Sequence, residues 1–130
     1  KKDAMKAVKQ IGIFMDHTHA HVMEYKGQEV VCTSLERHSI DHGERHNSDK
    51  GEAQINTKEA IEQKAYYARL GEAIKTSDEV LLFGPTQAKV ELLHLLRADK
   101  HFSHIKIEVK NSDKLTENQQ HAFVKAHFQH

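Results

Sequence analysis

A single cysteine, Cys32, stands in a chain of 130 residues, so no disulfide can close within it. A small scaffold stapled by disulfides is therefore excluded, and a reducing compartment suits the composition. The lone proline, Pro85, leaves long stretches free to form regular structure. No apolar run approaches the ~20 residues that cross a bilayer. The opening residues Lys1, Lys2, Asp3, Ala4, Met5 and Lys6 lack the apolar core of a signal peptide. The expectation is a soluble, cytoplasmic protein with no membrane partner. An excess of either charge is also missing: Lys and Arg number 19, as do Asp and Glu. That excludes a global basic field, so any nucleic-acid contact must come from a local patch.

Histidine is the residue in excess, at 12. An ordinary imidazole titrates at roughly 6.5, so the net charge turns positive as the pH falls toward 6. Hydrophobic residues at 38% and charged residues at 29% describe a polar but foldable chain. Its length suits one domain, 1–130, around one core.

The apolar pattern orders the chain. Ile11-Gly12-Ile13-Phe14-Met15 reads as a central strand. A polar break follows at Asp16–His19. Ala20–Tyr25 alternates as a strand does, Lys26-Gly27-Gln28 signals a turn, and Glu29–Leu35 is a third strand. Three strands joined by short turns make an antiparallel meander. Ile55–Lys75 is helical, with Tyr66, Leu70 and Ile74 on one face beside Tyr67; Lys58, Glu62 and Arg69 are expected on the wet face. Glu79–Gly84 is a buried strand, followed by a helix from about Pro85 to Ala98 with Ala88, Leu92 and Leu95 inward. His101–Val109 supplies a fifth strand, Ile105-Lys106-Ile107-Glu108-Val109, and Leu115–His130 a last helix with Thr116 as its cap. The expected class is α/β: a mixed five-stranded sheet, a three-strand meander and then α-β-α-β-α, with helices on both faces.

One long stretch fits neither strand nor helix. Arg37–Gln54, RHSIDHGERHNSDKGEAQ, has Ile40 as its only large apolar residue. A polar loop of this length in a small domain is usually functional or disordered. Arg37, Arg45 and Lys50 can reach phosphates, opposed by Asp41, Glu44, Asp49 and Glu52. His38, His42 and His46 recur every fourth residue and would tune that contact by pH; Gln54 closes the segment.

A second cluster, His17, His19 and His21, is the alternative site. Three neutral imidazoles and a water can hold zinc, and residues two apart on a strand share a face. A turn at Asp16–His19 would break that alignment, and no HExxH or CxxC accompanies it. Cys32, in a strand, reads as a buried, inert thiol. Gly84-Pro85-Thr86, followed by Lys89, could present free N–H groups to an anion, but helix initiation accounts for the same residues.

A meander opening a mixed sheet is similar to nuclease folds of the ribonuclease H type. Those need converging carboxylates around two metal ions; Asp16 is suitably placed, but Gly84 and Pro85 stand where a second acid is needed. More specifically, the chain resembles the middle domain of archaeo-eukaryotic peptide release factors, of Pelota, and of bacterial release-factor-like proteins. Ile11–Asp16 with Ala20-His21-Val22 looks like that domain's opening hairpin. Val80-Leu81-Leu82-Phe83-Gly84-Pro85-Thr86 with Ala88-Lys89 looks like its strand, Gly-Pro turn and helix. Arg37–Gln54 takes the place of the loop that carries Gly-Gly-Gln in true release factors, where it enters the ribosomal peptidyl-transferase centre and positions water. Here no Gly-Gly-Gln exists; His42-Gly43-Glu44 and Gly51-Glu52-Ala53-Gln54 are the nearest echoes. The resemblance spans about residues 8–128. It implies a non-enzymatic, translation-related protein whose segment 37–54 contacts the ribosome or ribosomal RNA, without a cofactor. The alternatives are a histidine-rich metal-binding protein or metal-dependent enzyme, holding zinc through His17, His19 and His21 or through the loop histidines His38, His42 and His46, and a module that forms a homodimer through a sheet edge.

Overall fold

The computed structural model describes residues 8–27, 29–38 and 51–129, with backbone alone for 51–56. The strands are β1 (Gln10–Met15), β2 (His19–Lys26), β3 (Glu29–Glu36), β4 (Glu79–Gly84) and β5 (Lys106–Asn111). The helices are α1 (Gly51–Lys75), α2 (Ala88–Arg97) and α3 (Glu117–Phe128), with a short 3-10 turn at Lys100–Phe102. All five strands join one sheet in the order β3-β2-β1-β4-β5. β1 runs antiparallel to β2 and β2 to β3, as the two short turns require. β1–β4 and β4–β5 are parallel and connected by helices. This is the mixed, ribonuclease H-like arrangement expected from the sequence.

Alternation along the strands divides the core into two layers. Ile11, Ile13, Met15, Val80, Leu82 and Ile107 face α1 and α2, packing on Tyr66, Leu70, Ile74, Leu92 and Leu96. Met23, Leu81 and Phe83 face α3, packing on Val124 and Phe128. Burying such a side chain contributes about 1.5–3 kcal/mol, so each layer holds its helices firmly. Phe83 is the hub of the second layer, with Phe123 stacked on it at 4.4 Å and Phe14 edge-on at 5.4 Å. Gly12 lets α3 approach: a Cβ there would lie 2.5 Å from Cγ2 of Val124. Gly84 ends β4 with φ +147°, and a Cβ on it would meet the Met15 carbonyl oxygen at 2.2 Å, so only glycine fits.

Several boundaries and faces differ from the sequence expectation. α1 begins at Gly51, not Ile55, because its first turn is polar and shows no apolar period. Glu62 is buried, in line with Tyr66, Leu70 and Ile74. α2 begins at Ala88, not Pro85: the Thr86 hydroxyl accepts from Ala88 N at 3.2 Å and holds the chain in a bend first. Leu95 is 51% exposed while Leu96 is buried in its stead. The approach to β5 is a 3-10 turn capped by Asp99, whose carboxylate accepts from His101 N at 2.9 Å, so the strand itself starts at Lys106. α3 starts after Thr116, which forms a reciprocal capping box with Gln119.

Candidate functional site

The site is built where β1, β2 and β3 meet the C-terminal end of β4. Asp16 leaves β1 and turns the chain at once. Its carboxylate accepts from Thr18 N at 2.8 Å and from His19 N at 2.7 Å. Burial alone would raise the Asp16 pKa, but these hydrogen bonds, the Thr18 hydroxyl and nearby His19 together hold it below the ordinary aspartate value. The expected turn at Asp16–His19 is therefore present and internally bonded.

The first residue of segment 37–54, Arg37, is tied to this turn. Arg37 N donates to Thr18 O at 2.7 Å, extending the β2–β3 pairing by one bond. The Arg37 guanidinium donates to Gln63 Oε1 at 2.9 Å, and Gln63 Nε2 donates to His17 O at 3.1 Å. Tyr66 OH donates to Asp16 O at 2.9 Å, and Arg69 donates to Glu36 O at 2.7 Å. Thus α1, which carries the far end of the segment, is pinned at three levels to the strand ends that carry its near end. Tyr67 OH donates to Glu91 Oε1 at 2.6 Å, and His17 Nε2 lies 3.2 Å from Glu91 Oε2, which brings α2 into the same network. The Tyr67 hydrogen bond lowers the Glu91 pKa most; burial opposes it and His17 assists it. Burial, with the neighbouring carboxylates, pushes both tyrosine hydroxyls well above their ordinary range, so they act as neutral donors.

Of the residues singled out in the segment, Arg37 is half-buried and His38 exposed. Gln54 lies in the first turn of α1. His42, Arg45, His46 and Lys50 fall outside the described residues. The alternative cluster is dispersed. His17 turns to Glu91 on α2, His19 bonds the Thr18 hydroxyl at 2.7 Å, and His21 Nδ1 lies 2.7 Å from Gln120 on α3. His17 and His21 thus face elements on opposite sides of the sheet, which strand alternation and the intervening turn enforce. Among the described residues the only group of three potential metal donors is a different one: Cys32, Glu117 and His121. Cys32 is half-buried, not fully so, and burial with the nearby Glu117 carboxylate raises its thiol pKa. Lys89 is turned inward, its ammonium donating to Thr86 O at 2.5 Å, so it closes the Gly84-Pro85-Thr86 junction. The sequence offers no site role for Gln63, Tyr67, Arg69 or Glu91: Tyr67 reads there as a neighbour of the apolar face and Arg69 as part of the wet face, and only the polar positions of Gln63 and Glu91 beside apolar helical rows hint at more.

No helix of the described residues is long and apolar enough to cross a membrane. No protein-family model matches the sequence, and no curated protein matches it. Solved structures do share the fold. The Pelota protein of Thermoplasma acidophilum superposes with a TM-score of 0.59 at 11% identity, over 91% of this chain and 32% of that one. Pelota of Archaeoglobus fulgidus gives 0.60 at 8% identity, over 97% and 33%. Dom34 of S. cerevisiae, described as a translation termination-like factor involved in RNA quality control pathways and interacting with Hbs1, gives 0.51 at 9% identity, over 84% and 30%. The chain spans about a third of the length of each of these proteins. It has the fold of one domain of the Pelota and Dom34 proteins.

Proposed function

We propose that the chain is a translation-related binding module that contacts the ribosome or ribosomal RNA through segment 37–54 and performs no hydrolysis there. The observation that carries this reading is the shared fold with Pelota and Dom34, the latter a translation termination-like factor, over nearly the whole chain. The framework around Asp16, Arg37, Gln63 and Tyr66 supports it, because it fixes the near end of the segment, and the body of the helix that carries its far end, against one end of the sheet. A rigid base suits a recognition segment, since it lowers the entropy lost on binding. Within the segment Arg45 and Lys50 are the proposed phosphate contacts, with His38, His42 and His46 as further contacts and Gln54 at its helical end. Arg37 serves both the base and, through its remaining donors, the contact. The segment has no Gly-Gly-Gln, which is why binding and not ester hydrolysis is assigned to it.

The test is co-sedimentation with ribosomes at low and moderate salt, comparing the chain with a variant whose residues 39–50 are replaced by a Gly/Ser linker of equal length. Binding that weakens with salt and is lost in the variant is expected, because released counterions make phosphate contacts salt-dependent. If both proteins stay in the supernatant, or both pellet equally, the reading fails.

A further inference from the structure

β3 and α3 bring together three side chains that the framework above does not use. Cys32 leaves β3 on the face that packs against α3. Glu117 and His121 stand four residues apart on α3, about one turn, and so share its face. One donor atom from each, sulfur, carboxylate oxygen and ring nitrogen, lies within 4.8 Å of the other two. A second observation concerns the same imidazole: Nε2 of His121 is buried and has no hydrogen-bond partner among the described residues. A buried polar atom left unpaired is costly and calls for an explanation, of which a bound ion is one.

We infer that Cys32, Glu117 and His121 form a binding site for a divalent cation of the zinc class, clamping α3 to the edge strand β3. The donor set selects the ion. Thiolate and imidazole suit zinc and its neighbours, whereas magnesium and calcium take oxygen ligands. Ligands around a tetrahedral zinc, at roughly 2.0–2.3 Å from it, stand about 3.3–3.7 Å apart. Closing the site from its present spread takes about 1 Å of side-chain rotation, which the exposed Glu117 is free to make. The positive end of the α3 dipole opposes a cation here, since Glu117 opens the helix. The thiolate and carboxylate bring two negative charges directly onto the ion and outweigh it. Three protein ligands leave a fourth position for water.

Cobalt(II) is the probe, added to the full 130-residue chain prepared without an affinity tag. Cys32 is the only cysteine, so a thiolate-to-cobalt charge-transfer band reports this site and no other, whatever the remaining histidines bind. One equivalent of cobalt raising that band, displaced by one equivalent of zinc, is the expected result. Cys32→Ser should abolish the band. His121→Gln and Glu117→Gln should each weaken cobalt binding at least tenfold; Glu117 is exposed, so its variant keeps the fold even if the others do not, as circular dichroism will show. Cobalt binding without the band, or a band whose titration is unchanged in Glu117→Gln and His121→Gln, overturns the inference.

Discussion

Replacing Gly12 by alanine tests how closely α3 is seated on the centre of the sheet. The added methyl would stand 2.5 Å from Cγ2 of Val124 and 3.2 Å from Cγ1. Non-bonded carbons settle at about 3.5–4.0 Å, so about 1 Å must be found. Val124 is fully buried and, being β-branched on a helix, is confined to essentially one rotamer. The room must therefore come from α3 as a whole. That helix is held by Phe123 stacked on Phe83 and by Gln120, which lies 2.7 Å from His21 and donates to Leu115 O at 2.9 Å. Overpacking of this kind costs about 1–3 kcal/mol, and the restraints on α3 put Gly12→Ala at about 2 to 3. Val124→Ala alone removes two buried methyl groups, a loss of about 2 kcal/mol with the cavity included. In the double variant the nearest remaining atom is Cβ of residue 124, at 3.4 Å, close to ordinary contact. The new methyl then fills part of the vacated space. The double variant should lose only about 2 kcal/mol instead of the ~4 that independent effects would give, a coupling of about 2 kcal/mol. Urea unfolding followed by far-ultraviolet circular dichroism measures all four corners of the cycle. Additive losses, or a Gly12→Ala protein within about 0.5 kcal/mol of the parent, would refute close seating of α3.

Other substitutions probe the remaining contacts. Gly71→Ala should raise stability by about 0.5–1 kcal/mol, because an added Cβ meets only Phe102 Cζ at 3.5 Å and Leu96 Cδ2 at 4.0 Å; a lower urea midpoint would show that the α1–α2 contact is tighter than this spacing. Gly84→Ala should lose at least about 3 kcal/mol, since positive φ and the Met15 carbonyl both oppose it, and expression of a soluble protein with an unchanged midpoint would contradict that. Asp16→Asn should be destabilising at neutral pH. The folded Asp16 pKa is depressed, so its contribution is complete above the ordinary aspartate value of about 3.9 and is lost as pH falls through the lower folded value. The gap between variant and parent should shrink in acid; urea midpoints at pH 7 and about pH 3 check this, and a gap that stays constant rules the linkage out.

The strands were legible because their apolar runs are continuous and bounded. Glu79–Gly84 reads off the sequence with both ends correct, and β1 to β3 differ by only a residue or two at their ends. What misled was local chemistry that tertiary packing overrides. A carboxylate at position 62 suggests a wet face, yet the stripe of every fourth residue carries it inward. Leu95 and Leu96 look interchangeable, and only the crossing of α2 over the sheet decides between them. The same limit applies to the sites. The Glu117–His121 spacing is visible in the sequence as one helical turn, but nothing local says that Cys32 arrives opposite them. The network at Asp16 depends on Tyr66 reaching a backbone carbonyl 50 residues away, which no side-chain pattern encodes.

The seating of α1 has a consequence for what segment 37–54 can meet. Its near end is bonded at Arg37 to Thr18, whereas the α1 residues bonded to the strand ends are Gln63, Tyr66 and Arg69. The helix starts at Gly51, 12 residues before Gln63. At about 1.5 Å of rise per residue that start stands about 18 Å from those bonds. Residues 57–61 on this stretch are mostly exposed. A large partner gripped by the segment would therefore bear on the first turns of α1 as well as on the sheet end, where His17, Glu91 and the exposed His19 stand.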